Sequence, residues 1–407
     1  ILQKIEKNYL QILDEKNLID KINLPQNYEI FDEFLENFSS CDIFLEGYLS
    51  GFEFTIIKQM ATKVQINLHF EYNQFNEKSI KQLSNEDLFS VGNSYCFDLT
   101  NNLIKSETKR NNSLPIINVQ DFPSKIDQIA FIKQSIFHMV HNRNIDPENI
   151  VVVLPDEKFA DTLKLFDSEN YFNFAMGFSI QDSKLYETII SIDRFCNDSN
   201  DQTKAKLNFL NIDFNIVNDF NDNWNNSYKE ELFKKLKSYL FEVEENENIA
   251  IEYEKIDYSL FHLMNNHKIN LTVKEYFKIL LQKLNKVTID DTRGGKITVM
   301  GILETRSINF DAVIIVDFND HIVPKKSDKD KFLSTSIKQL ASLPTSKDRQ
   351  NLQIYYYHKL IQGTKEVNIS YVQNEQYTVS RFFNILFDGQ KVNMNFNYQH
   401  ILFSKDT

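Results

Sequence analysis

The stretch GILETRSINFDAVIIVDFNDHIVP, residues 301–324, decides the fold. Its centre, Ala312-Val313-Ile314-Ile315-Val316, is an unbroken apolar run framed by polar residues and closed by Pro324. Such a run reads as a strand buried on both faces, the kind that parallel sheets contain. Asp317, Asn319, Asp320 and His321 follow it, at the strand end where α/β folds often place working groups. Just before it, Glu304-Thr305-Arg306 sets a carboxylate, a hydroxyl and a guanidinium in a row.

The pattern repeats on either side. IINVQDF from Ile116 is extended, SKIDQIAFIKQSIFHMVHNR is an amphipathic helix, NIVVVLP is a buried strand ended by Pro155, and DEKFADTLKLF is the next helix. A strand–helix–strand unit of this length implies parallel strands with a right-handed crossover. GGKITVMGI adds a buried strand, and YYYHKLIQGTKEVNISYV reads as a helix leading into a last strand. Residues 1 to about 40 read as helices, with Ile5, Tyr9, Leu10 and Leu13 at helical spacing and a break at Leu24-Pro25. CDIFLEGYLSGFEFTIIKQM predicts a short strand, a turn from Gly47 to Gly51 and a helix, while KVQINLHFEY and YCFDLT read as strands. Roughly 195 to 290 is polar and helical by spacing, and reads as an insertion between two halves of one α/β domain.

The 407 residues are enough for two to three domains with hydrophobic cores. Nine glycines and seven prolines are too few for long structureless linkers. The net charge of −12 disfavours blanket binding to phosphates, so any nucleic-acid contact must be a local patch or groove. Cys41, Cys96 and Cys196 are far apart and odd in number, which suits free thiols in a reducing cytoplasm and supports neither a disulfide framework nor a zinc ribbon. No apolar run reaches the roughly 18 residues of a membrane span. The chain, running from Ile1 to Thr407, reads as a piece of a longer protein.

Local motifs of chemistry are weak. DDTRGGKIT lacks the first glycine and the Ser/Thr of a phosphate loop, with Asp290 and Ile297 in those places, and enters a strand; it reads as a tight turn. His138 and His141 share a helix face but have no third ligand near in sequence. Glu242, Glu244, Glu245 and Glu247 read as a solvated acidic face.

Four segments together resemble the helicase-like region of the AddB-type subunit of bacterial helicase–nucleases, a PD-(D/E)XK nuclease family related to UvrD-type helicases. They are IFLEGYLSGFEFTII, at the place of a Walker B strand; IAFIKQSIFHMVHNRNIDPENIVVVLPDEKFADTL followed by NFAMGFSI; ITVMGILETRSINFDAVIIVDFNDHIVP, at motif V; and DRQNLQIYYYHKLIQGTKEVNISYV, at motif VI. The LETR-x-x-x-FD-x-V-I-I pattern is the most specific of them. The resemblance implies an α/β fold: a RecA-like helicase-type parallel sheet domain with an all-helical insertion and a partial second α/β domain. Its parts would be a partial 1A-like region over 1–110, a 2A-like domain over 111–195 and 290–407, and a 2B-like insertion over 196–289.

The departures from an active helicase are specific. A working Walker B segment ends in Asp-Glu, where the Glu orients the attacking water; here the pair is Glu46-Gly47. An active motif V has Gly and then Glu before its strand, where this chain offers Ser307 and Asn309. The arginine that motif VI supplies to the γ-phosphate falls on Gln362, which cannot neutralise transition-state charge. The resemblance therefore implies a non-catalytic module that handles single-stranded DNA, or duplex DNA as it unwinds, in double-strand break repair by homologous recombination. Its partner would be an AddA-like motor helicase–nuclease subunit in the cytoplasm.

Thr298, Thr305, Arg306, Asn309 and Arg349 are the candidate DNA contacts; for Arg306 the bland alternative is an internal ion pair with Glu304. Lys359 reads as solvated, and Tyr355-Tyr356-Tyr357 as a stacking platform with at least one ring in the core. No cofactor is expected here, because the family's magnesium-dependent nuclease, with an iron–sulfur cluster in some members, would lie beyond Thr407. Two other readings stay open: an active UvrD-like superfamily 1 helicase fragment, and a structural docking subunit that never touches DNA.

Overall fold

The computed structural model describes residues 2–20, 28–84, 88–109, 114–291, 293–325, 333–340 and 343–394. The break expected at Leu24-Pro25 lies outside them. The chain forms two compact units, one of residues 1–156 with 302–407 and one of residues 157–301.

The first unit contains a parallel sheet of five strands in the order Val392–Met394, Ile116–Phe122, Glu366–Val372, Ala312–Ile315 and Ile150–Val153. The α/β class expected from the strand–helix–strand pattern is the class adopted. The apolar runs explain the centre: Ile150 to Val153 and Ala312 to Ile315 are wholly buried, as strands covered on both faces must be. The helix Asp127–Phe137 buries Ile129, Phe131 and Ile132, then passes into a π-helical turn over His138–Asn142. The helix Ser346–Ile361 starts at a capping box, in which Thr345 accepts from the Asp348 N–H and the Asp348 carboxylate accepts from the Thr345 N–H.

A row of amides crosses this sheet. Asn118 pairs in register with Asn368 on one side and Asn393 on the other. Its Nδ2 donates to Asn368 Oδ1 at 2.8 Å, and Asn393 Nδ2 donates to Asn118 Oδ1 at 3.0 Å. Glu366, also buried, accepts from Asn118 at 3.2 Å and lies 3.5 Å from Arg143.

A second sheet of the same unit has the order Ser40–Phe44, Gln65–Glu71, Asn93–Asp98 and Leu103–Lys109; its first pair is parallel and the others antiparallel. Ile66, Leu68, Phe70, Tyr95 and Phe97 fill its covered face, together with Ile57 of the helix Gly51–Met60. The helix Leu2–Glu15 forms as its spacing predicts, yet Ile5, Tyr9 and Leu10 are exposed.

The second unit is mainly helical. Helices span Lys184–Asn197, Asp201–Phe209, Phe214–Asn223, Glu230–Val243, Glu247–His267 and Val273–Leu284 around one core of aliphatic and aromatic side chains. The segment read as strand-free does carry a short strand, Thr288–Ile289, antiparallel to Phe178–Ser179. Ile297–Met300 pairs in parallel with Phe172–Phe174. The DDTRGGKIT turn is fastened from within this unit: Arg293 bonds Asp291 and Asn170 and lies 4.9 Å from the Phe178 ring, and a Cβ on Gly295 would come within 2.3 Å of the Phe172 carbonyl. Among the described residues no helix is long and apolar enough to cross a membrane.

Candidate nucleic-acid interface

The residues singled out in the sequence fall into three places. Thr298 is in the second unit, on the strand Ile297–Met300. Thr305, Arg306, Ser307 and Asn309 lie together in the loop before the strand Ala312–Ile315, and Arg349 is on the helix Ser346–Ile361.

In that loop Thr305 is buried and its hydroxyl donates to the Ile302 carbonyl at 2.7 Å, so it braces the turn instead of facing solvent. Arg306 is exposed. Its Nε donates to the Leu303 carbonyl at 2.7 Å, and its guanidinium lies 5.7 Å from the Tyr356 ring centre. Among the described residues no ion pair joins it to Glu304, so the bracing pair considered as the alternative is not formed. Ser307 takes a left-handed backbone with φ of 63°, and Asn309 is exposed.

Beneath the loop, Glu46 is engaged by Lys359 in an ion pair. Lys359 is therefore not the solvated side chain expected. Gly47 faces the Tyr356 hydroxyl so closely that a Cβ there would lie 3.1 Å from it. Burial raises the Tyr356 pKa, with Arg306 pulling it back, so the hydroxyl stays neutral at physiological pH. The helical period puts at least one of Tyr355, Tyr356 and Tyr357 in the core; all three are buried, so none is left as a stacking surface. Gln362 caps the same helix and its Nε2 sits 2.8 Å from His358 Nε2.

The end of the strand Ala312–Ile315 is richer than its sequence position alone indicates. Asp317, almost fully buried with φ of 51°, receives Gln128 Nε2 at 2.7 Å and gives its own N–H to Gln128 Oε1 at 2.9 Å. Ser370 donates to the same Oε1, and Lys125 stands 2.7 Å from the other Asp317 oxygen. Asn319 ties together the Val372 and Thr378 backbones. Sequence reasoning reached Asp317 but not Lys125 or Gln128. The available signal was a Ser-Lys-x-x-Gln run just past the carboxyl end of another parallel strand.

Arg349 lines a shallow groove with Lys325, Gln350, Gln353 and Arg381. Asp320 holds Arg381 in a bidentate pair at 2.7 and 2.6 Å, whereas Arg349 has no ion-pair partner among the described residues. His321, next in chain to Asp320, stacks on Tyr377 with ring centres 4.3 Å apart. An exposed guanidinium and neighbouring amide donors are groups suited to contact a nucleic-acid strand.

Other candidates dissolve. His141 tilts against the Phe137 ring while His138 lies 3.9 Å from Glu366, so the two do not converge. Among the described residues no group of three or more His, Cys, Asp or Glu is placed to hold a metal ion. Glu244 accepts the Leu185 N–H at 3.1 Å and Glu245 pairs with Lys184 at 2.9 Å, so this part of the acidic run secures a helix start. Cys41, Cys96 and Cys196 are free, and burial pushes the Cys196 thiol up to about 12.

No protein-family model matches the sequence, and a search of curated proteins returns no significant match.

Proposed function

We propose that this chain is the non-catalytic, RecA-like helicase region of an AddB-type subunit, which guides single-stranded DNA while an AddA-like partner supplies the motion. The observation that carries the reading is the state of Glu46. The only carboxylate at the position of a hydrolytic Asp-Glu pair is bound by Lys359, and Gly47 beside it lies against the Tyr356 hydroxyl. A group held in that way has no freedom to orient an attacking water. Ser307 supports the same alignment: it keeps a left-handed backbone at the place where the resemblance puts a glycine. The groove beside Arg349 gives the DNA a path, and Arg306 and Asn309 are exposed in the loop before the strand Ala312–Ile315.

Fluorescence anisotropy of a labelled single-stranded oligonucleotide tests this reading at two salt concentrations. Binding should weaken steeply with salt, and Arg349→Ala should lower affinity by roughly 3- to 10-fold and flatten the salt slope by about one ion. ATP hydrolysis should stay at background with and without DNA. DNA-stimulated hydrolysis would return the protein to the active helicases. Absence of binding at low salt would favour a docking subunit, a reading that the net charge of −12 and the neutralisation of Arg381 by Asp320 support.

A further inference from the structure

The second unit has a cleft that none of the preceding chemistry uses. It opens between the helices Glu230–Val243 and Glu247–His267 and has a volume of 170 Å³. Aromatic rings wall it: Tyr228, Phe233, Tyr258 and Phe261. The Tyr228 ring stacks on Phe233 at 4.9 Å and 21°, and lies 4.7 Å from Tyr276, so these walls are held rigidly. Asp257 also lines the cleft. Its Oδ1 accepts the Tyr276 hydroxyl at 2.6 Å, and among the described residues it has no cationic partner within ion-pair distance. The two lysines at the rim are already committed, Lys234 to Glu230 at 2.7 Å and Lys237 to Glu254.

The surroundings of Asp257 behind the cleft are also aromatic. Tyr253 is wholly buried beside Asp257, and its hydroxyl has no hydrogen-bond partner among the described residues. Burial first, then the Asp257 charge and the Tyr228 neighbour, holds this phenol far above its ordinary pKa. Tyr228, Tyr253 and Tyr276 thus lie around one carboxylate that has no ion-pair partner among the described residues.

The occupant follows from the lining. Ring faces attract cations through their quadrupole when the charge sits within about 6 Å of the centroid. An anion would meet Asp257 and the rim carboxylates. A neutral apolar group would strip water from Asp257 and return nothing. We infer that the cleft binds an organic cation, a guanidinium or alkylated ammonium head, with Asp257 as counter-ion and Tyr228, Tyr258 and Phe261 as the cage. Such a head reaches the cleft either as a free small molecule or on an arginine or lysine side chain of a partner.

Ligand-observed NMR on the full chain tests this with tetramethylammonium, ethylguanidinium and the neutral isostere 3,3-dimethyl-1-butanol. Both cations should bind at least about 10-fold more tightly than the alcohol. Asp257→Asn and Tyr258→Ala should each weaken them by about 10-fold. Tyr258 is 64% exposed, so its loss leaves the unit folded even if the Asp257 change disturbs Tyr276. A short blocked Gly-Arg-Gly peptide binding more tightly than ethylguanidinium assigns the cleft to a partner's side chain; a preference for the free cation assigns it to a small molecule. The inference is overturned if no cation binds at about 10 mM, if the alcohol binds equally, or if both variants keep full affinity.

Discussion

In the second unit one part of the core is ring against ring: Phe220, Trp224, Phe233, Tyr276 and Phe277 lie with centroids 4.4 to 5.7 Å apart. In the first unit the parallel sheet is aliphatic at its centre, but it carries Asn118, Asn368 and Glu366 inside it and the Lys125–Asp317 pair at its carboxyl end. The contrast teaches what each unit cannot lose. An aromatic core depends on volume, because each ring contributes through area and dispersion. A sheet laced with polar groups depends on partners, because an unpaired buried group keeps its full desolvation penalty.

The single tryptophan, Trp224, sits 5.2 Å from Phe277, so its fluorescence reports on the second unit. The sharpest way to break the contrast is Phe277→Ala, which should cost about 4 kcal/mol and lower the urea midpoint read at Trp224. Should that midpoint hold, the core is not volume-limited. Lys125→Met is the counterpart in the first unit. It leaves Asp317 buried with Gln128 alone and should cost about 2 kcal/mol, discounted because the lysine is partly exposed. Circular dichroism should register the loss as a lower urea midpoint; an unchanged midpoint would show that the pair does not hold this end of the sheet.

Acid should act on the second unit through its caps. Hydrogen bonds from the Thr272 N–H and hydroxyl hold Glu275 below the ordinary value of 4.5. A carboxylate depressed on folding contributes stability that is present above its unfolded pKa and lost as pH falls through the folded one. The Trp224 midpoint should therefore drop below about pH 4.5, and Glu275→Gln should remove part of that dependence. The smallest effect belongs to Lys184→Ala, which severs an exposed pair with Glu245 and should leave the Trp224 midpoint essentially unchanged.

Much of the sheet was legible because runs such as IVVV and AVII have no other comfortable home. Phe172–Phe174, Phe178–Ser179 and Val392–Met394 escaped because two or three residues carry no period. Leu103–Lys109 escaped because an edge strand exposed on nearly all sides reads as loop. The candidate site was legible one residue at a time. Asp317 stands out after its strand, but Gln128, which grips it, is 189 positions away. That all three tyrosines are buried, and not only one, escaped for a different reason. The helix Ser346–Ile361 is covered on two sides, Tyr357 meeting Phe318 at 5.5 Å and Tyr356 meeting Gly47, and its sequence alone shows only the period of a helix.

The amide row through Asn118, Asn368 and Asn393 bears on assembly as well as on stability. Sliding the strand Glu366–Val372 by two residues would keep every side chain on its proper face, so hydrophobic patterning alone cannot forbid it. In one direction the slip sets the Asn368 amide against Ile116, where it has nothing to bond. The asparagines thus act as an address for the neighbouring strands, making that mis-threaded sheet the costly one.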